Sequence, residues 1–101
     1  MDIAGKSFVF TGYLGIMTRN KAIELVVSKS GIVQTMVTRK TDFLVVGYYQ
    51  EDLFDPGEKS KKLIIANQLI TAGNPIQLLN PNDFFKLVDY YSLIGGKDGT
   101  N

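Results

Sequence analysis

The stretch SFVFTGYLGIMTRNKAIELVVSKSG, Ser7 to Gly31, decides the fold. Ser7–Gly12 is β-rich and apolar almost without a break, the pattern of a strand covered on both faces. Thr18 then offers an N-cap hydroxyl. Ala22, Leu25 and Val26 recur at i, i+3 and i+4, with Ile23 and Val27 widening the stripe. Lys21 stands at N3, where a capping box would carry an acid. The helix stops at Gly31, which suits a left-handed C′ position, and Lys29 faces the favourable end of its dipole.

Working outward, IVQTMV (Ile32–Val37) reads as a second strand and TRKTD (Thr38–Asp42) as a turn. FLVVG (Phe43–Gly47) is a nearly all-apolar strand suited to the sheet centre. Tyr48–Gly57 shows no period, gathers the acids and ends in the turn signal Pro56-Gly57. A second helix begins near Ser60, carries Leu63, Ala66, Leu69 and Ile70 along one side, and stops at Gly73. PIQLL supplies a fourth strand. NPNDFFKLVDYY opens a third helix with Asn80 at the cap, Pro81 at N1 and Asp83 in the first turn. Phe84, Leu87, Val88 and Tyr91 form its buried side. The order β-α-β-β-α-β-α argues for a three-layer α/β domain with a largely parallel four-stranded sheet. The link between the second and third strands is too short for a parallel crossover between neighbours. Either those strands form a hairpin or they lie apart in the sheet.

At 101 residues the chain reads as one domain over residues 3–91, with 92–101 a flexible C-terminal tail or linker. A domain of this size buries roughly 60–70% of the surface of its unfolded form. The 45% hydrophobic content supplies the core for that burial. The absence of cysteine and histidine removes disulfides, thiolate chemistry, imidazole base catalysis and the usual zinc sets. A net charge of +1 leaves no global field toward nucleic acid, so any anion site must be a local cluster. No segment has the length and flanks of a signal or a bilayer span. The expectation is a soluble cytoplasmic domain with no membrane partner.

In an open parallel sheet, ligands sit beyond the carboxyl ends of the strands, beside helix N-termini. Thr11 and Gly12 end the first strand, one with a hydroxyl and the other with a backbone free of a Cβ. Arg19 lies in the first turn of the first helix, where a cation opposes the macrodipole. A bound anion would compensate; so would a carboxylate such as Asp42. Lys59, Lys61 and Lys62 crowd the start of the second helix, again the unfavourable end. Lys59 and Lys61 read as a solvated face, whereas Lys62, four residues before Ala66, is set to reach a phosphate between the two helix ends. Each charge-assisted hydrogen bond contributes about 1.5–3 kcal/mol when well formed. Four donors therefore make a modest, salt-sensitive site. Neither a P-loop nor a dinucleotide fingerprint is present. Glu51, Asp52 and Asp55 read as a solvated loop rather than metal ligands, and no nucleophile–base set appears. No metal, cofactor or catalytic residue is expected.

Taken in order, GKSFVFTG, MTRNKA, SGIVQTMVTRKTDFLVVG, KSKKLIIA and NPNDFFKLV resemble the BRCT domain family over residues 3–89. The likeness is greatest to the BRCT domains of bacterial NAD-dependent DNA ligases and the clamp-loader large subunit. The second-helix region also resembles those of DNA polymerase III epsilon-like exonucleases. The resemblance implies strand order 2-1-3-4, with helices one and three on one face and helix two on the other. It implies that Thr11, Gly12 and Lys62 hold a phosphate, and that Arg19 matches the arginine of members that read a 5′-phosphorylated DNA end. Phe84 stands where the family usually carries Trp.

The expected function is non-catalytic binding of a 5′-phosphate at a DNA end or nick. The domain would serve a ligase, an exonuclease or another replication or repair protein of a bacterium or phage, in association with the nucleoid. Catalysis would belong to other domains of the parent. Tyr13, Lys21, Lys59 and Lys61 are candidate further DNA contacts, Tyr13 by stacking on a terminal base. The alternative is a protein-interaction module, either a phosphopeptide reader or a dimerisation domain. It would bind another domain of the parent or a second copy, with Ile16, Met17, Leu53 and Phe54 as contacts, Leu53 and Phe54 foremost. Phosphopeptide readers usually work as tandem repeats, and a single repeat is present here.

Overall fold

The computed structural model describes residues 2–48 and 56–92, with the backbone alone for 56–60. In chain order the elements are β1 (Ser7–Thr11), α1 (Arg19–Ser28), β2 (Ile32–Val33), β3 (Phe43–Val46), α2 (Pro56–Thr71), β4 (Gln77–Leu79) and α3 (Pro81–Leu87). The four strands form one sheet in the order β2-β1-β3-β4, with every pairing parallel. The short link after β2 therefore joins strands on either side of β1, and the hairpin alternative falls.

All five residues of β1 are buried, and strand alternation sends them into two cores. Phe8 and Phe10 join Phe43 and Val45 of β3 beneath α1 and α3. Val9 and Leu44 face the other way, onto Leu63, Ala66 and Leu69 of α2. One face of the sheet is thus covered by α1 and α3 and the other by α2. Rings fill the larger core: Phe8 stacks on Phe43 at 4.8 Å, and Phe84 of α3 meets Phe10 edge-on at 5.2 Å. Ile3 is buried in this core as well, which the sequence pattern did not reveal.

Several local expectations are corrected. β2 stops at Val33. The Gln34 N–H makes one more bond, to the Phe8 carbonyl at 2.8 Å, and the chain then bends away at Thr35 and Met36. Pro56 starts α2 instead of a turn, because the first N–H of a helix has no intrahelical acceptor to lose. Lys62 consequently sits in the second turn of α2 rather than at its opening. The left-handed residue closing α1 is Ser30 (φ 66°), not Gly31. Gly31 follows one position later, its N–H on the Val26 carbonyl at 2.8 Å, in a Schellman closure. Val27, Ile70 and Tyr91 are exposed, and Phe85 takes the buried place on α3. Leu53, Phe54, the acidic loop residues Glu51, Asp52 and Asp55, and the tail beyond Ser92 lie outside the described residues.

α3 begins as its sequence indicates. Asn80 Oδ1 accepts the Asp83 N–H at 2.7 Å, and Pro81 holds the first position. Asn80→Ala is expected to cost about 1 kcal/mol, read as a lower urea midpoint at unchanged slope. An unmoved midpoint would show that the cap adds nothing here.

Candidate functional site

The site is built at the carboxyl tip of β1. Thr11 is buried and by alternation shares the α2 side of the strand with Val9. Gly12 takes φ 86°, a conformation that strains any residue with a Cβ. No acceptor among the described residues takes the Gly12 N–H.

Two cations converge on this tip. Thr18 caps α1, its Oγ1 accepting the Lys21 N–H at 3.1 Å. Arg19 follows as the first helical residue, and its guanidinium turns back so that Nη2 donates to the Gly12 carbonyl at 2.8 Å. That carbonyl offsets part of the unfavourable interaction between a cation and the helix start. Asp42, the carboxylate considered as its partner, is engaged elsewhere: its Oδ2 accepts the Ser7 N–H at 2.8 Å. From the opposite face of the sheet, Lys62 Nζ of α2 donates to the Phe10 carbonyl at 2.9 Å. The two cations are therefore anchored on the carbonyls either side of Thr11. Both line one cleft of about 110 Å³, which has Gln34 and Thr35 in its wall.

Gln34 and Thr35 are the residues that sequence reasoning missed. Reading β2 through to Val37 hides them in a strand. The available signal was a polar pair interrupting an otherwise apolar run.

The other candidates are dispersed. Tyr13 forms an isolated antiparallel bridge with Tyr48, each N–H on the other's carbonyl at 2.8 Å. Both residues are more than half exposed. Lys21 is exposed and lies 3.8 Å from Glu24. Lys61 is exposed and lines a neighbouring cleft. The side chain of Lys59 is outside the described residues. Among the described residues no three side chains are grouped to hold a metal, and no described helix is long and apolar enough to cross a membrane.

Known proteins resemble this chain in sequence and in fold. The family model of the BRCA1 C Terminus (BRCT) domain matches residues 2–79. A DNA ligase of Chlamydia caviae is 40% identical over 84 residues, which is 83% of this chain and 11% of the ligase. A DNA ligase of a Sulfurihydrogenibium species is 38% identical over 86 residues, 85% of this chain and 10% of that protein. The chain thus spans about a tenth of the length of these relatives. Among solved structures, the C-terminal BRCT domain of human XRCC1 superposes with a TM-score of 0.59 over 89% of this chain and 81% of its own. At 16% identity the likeness is one of fold alone.

Proposed function

We propose that this chain, which belongs to the BRCT domain family, is a non-catalytic module that binds the 5′-phosphate of a DNA end or nick within a DNA replication or repair protein. One observation carries the reading. Arg19 and Lys62 come from helices on opposite faces of the sheet, yet both lean on carbonyls beside Thr11 and line a single cleft. Among the described residues no aspartate or glutamate lines that cleft. Two cations held by backbone contacts need little ordering when an anion arrives, which favours binding. Thr11 and Gly12 lie beside this cleft at the strand tip but are not among its lining residues, which besides the two cations are Phe10, Ile23, Val33, Gln34 and Thr35.

A net charge of +1 supplies little attraction to a long phosphate tract, which favours a terminal phosphate over non-specific duplex binding. The ligase relatives support DNA as the ligand class. Any joining chemistry of a ligase-like parent belongs to its other domains.

The test is a titration of duplex DNA with and without a 5′-phosphate, followed by fluorescence anisotropy. Lys62→Ala and Arg19→Ala should each weaken binding to the phosphorylated end about ten- to thirtyfold. The unphosphorylated end should change little, and circular dichroism should stay as in the parent. Each lost phosphate contact should flatten the dependence of log affinity on log salt by about 0.9. Equal affinity for the two ends would overturn the reading. Preference for a phosphoserine peptide would transfer it to the protein-interaction alternative.

A further inference from the structure

We infer that the groove continuing from the anion cleft receives the first nucleotide of the phosphorylated strand as an unpaired unit, with its base laid on Met36. This inference rests on the phosphate reading above. The cleft lined by Arg19 and Lys62 shares Thr35 and Lys62 with a second cleft of about 310 Å³, whose other lining residues are Met36, Val37, Lys61 and Ile65. The shared wall is the segment that leaves the sheet after β2. Whatever is bonded to a phosphate in the first cleft has the second beside it.

This wall is held in place by its own hydrogen bonds. Thr41 Oγ1 accepts the Thr38 N–H at 2.9 Å and donates to Gln34 Oε1 at 3.0 Å. Thr38 Oγ1 in turn accepts the Lys40 N–H at 3.1 Å. Because Thr41 engages the carbonyl end of the Gln34 amide, the end left for the anion cleft is the NH₂, a donor. In this relay the amide orientation is the one that suits a phosphate.

The second cleft fits a nucleotide in both size and chemistry. Its volume falls at the lower end of small-molecule sites, the scale of one nucleoside rather than a base pair. It combines the apolar surfaces of Met36, Val37 and Ile65 with the cation of Lys61, and no carboxylate among the described residues lines it. A 5′-terminal nucleotide presents the same sequence of features: a phosphate, a flat ring, then the negative charge of the next linkage. Met36 is 65% exposed, and its polarizable thioether gains from contact with an aromatic face. An uncharged peptide side chain following a phosphoserine would make no use of Lys61.

The experiment uses 5′-phosphorylated duplexes whose first nucleotide is unpaired, in one form with a normal base and in another abasic, alongside a dephosphorylated control. Met36→Ala in the full chain is the variant, chosen because its exposed side chain leaves the core intact. The substitution should weaken binding of the normal-base DNA about three- to tenfold and of the abasic DNA less than twofold. Equal losses on both DNAs, or none on either, would overturn the nucleotide subsite, while phosphate dependence in the parent chain would keep the phosphate reading standing. Tighter binding of a paired than an unpaired first nucleotide would also overturn the subsite. Loss of phosphate dependence in the parent chain would overturn both. Tighter, Met36-dependent binding of a phosphoserine peptide would overturn the nucleotide assignment in favour of a peptide.

Discussion

Gly47→Ala is expected to destabilise the domain by about 2–3 kcal/mol and to remove its preference for a 5′-phosphorylated end. A Cβ at this position would lie 2.5 Å from the Tyr13 carbonyl oxygen, 2.9 Å from its nitrogen and 3.0 Å from its carbonyl carbon. These are backbone atoms, which cannot rotate aside as a side chain can. At Gly31 the nearest obstacle is instead a methyl of Val26 at 2.6 Å. Gly47 also donates its N–H to the Thr11 carbonyl at 2.8 Å. An added methyl group must therefore push the tip of β1 away from β3. That movement breaks the two reciprocal bonds between Tyr13 and Tyr48 and shifts the Gly12 carbonyl that anchors Arg19. Denaturation midpoints measure the first effect, and anisotropy at a temperature where the variant remains folded measures the second. Parent-like affinity for the phosphorylated end in folded Gly47→Ala would show that the geometry of this tip does not make the site.

Phe84→Ala should have the largest effect on stability, about 3–5 kcal/mol. The ring is fully buried. It makes edge contacts with Phe10 at 5.2 Å, Phe8 at 6.1 Å and Phe85 at 6.0 Å, so it joins α3 to the central strand. Its removal leaves a cavity bounded by aromatic rings on a rigid sheet, with little freedom to collapse. Small domains are stable by roughly 5–15 kcal/mol in total, so the variant should show a severely lowered thermal midpoint and a large fall in its urea midpoint. A loss below about 1 kcal/mol would mean that neighbouring side chains refill the space.

The elements were legible because their signals are local. Thr18 and Asn80 do act as N-caps, and Gly73 does close α2 at φ 104°. The continuous apolar run of Ser7–Thr11 does mark a strand covered on both faces. Failures came where a neighbouring element overrides a local preference. The second strand is cut short because only Ile32 and Val33 have Cα partners on β1, and the chain bends away at Thr35 and Met36 toward the Thr38–Thr41 turn. Val27 has the spacing of the α1 stripe but sits at its edge, where nothing packs over it. Ile3 has no periodic neighbours from which a strand or helix can be read, so its burial depends on contacts distant in sequence.

The same division runs through the site. Amino-acid order alone determined a largely parallel three-layer α/β domain, the N-caps of α1 and α3, a glycine after Thr11, and cations placed against two helices. Caps, apolar spacing and φ preferences act within a few residues, so they can be read without knowing where the chain goes. Tertiary structure bears out the strand order 2-1-3-4 that the family resemblance implied, and it alone decided that Lys62 reaches across the sheet to the carbonyl of Phe10. It also brought Arg19 and Lys62 into one cleft and turned Gln34 and Thr35 into its wall. Those relations join residues up to 52 positions apart, where no short-range preference of the chain acts and only packing of the two cores sets the distances.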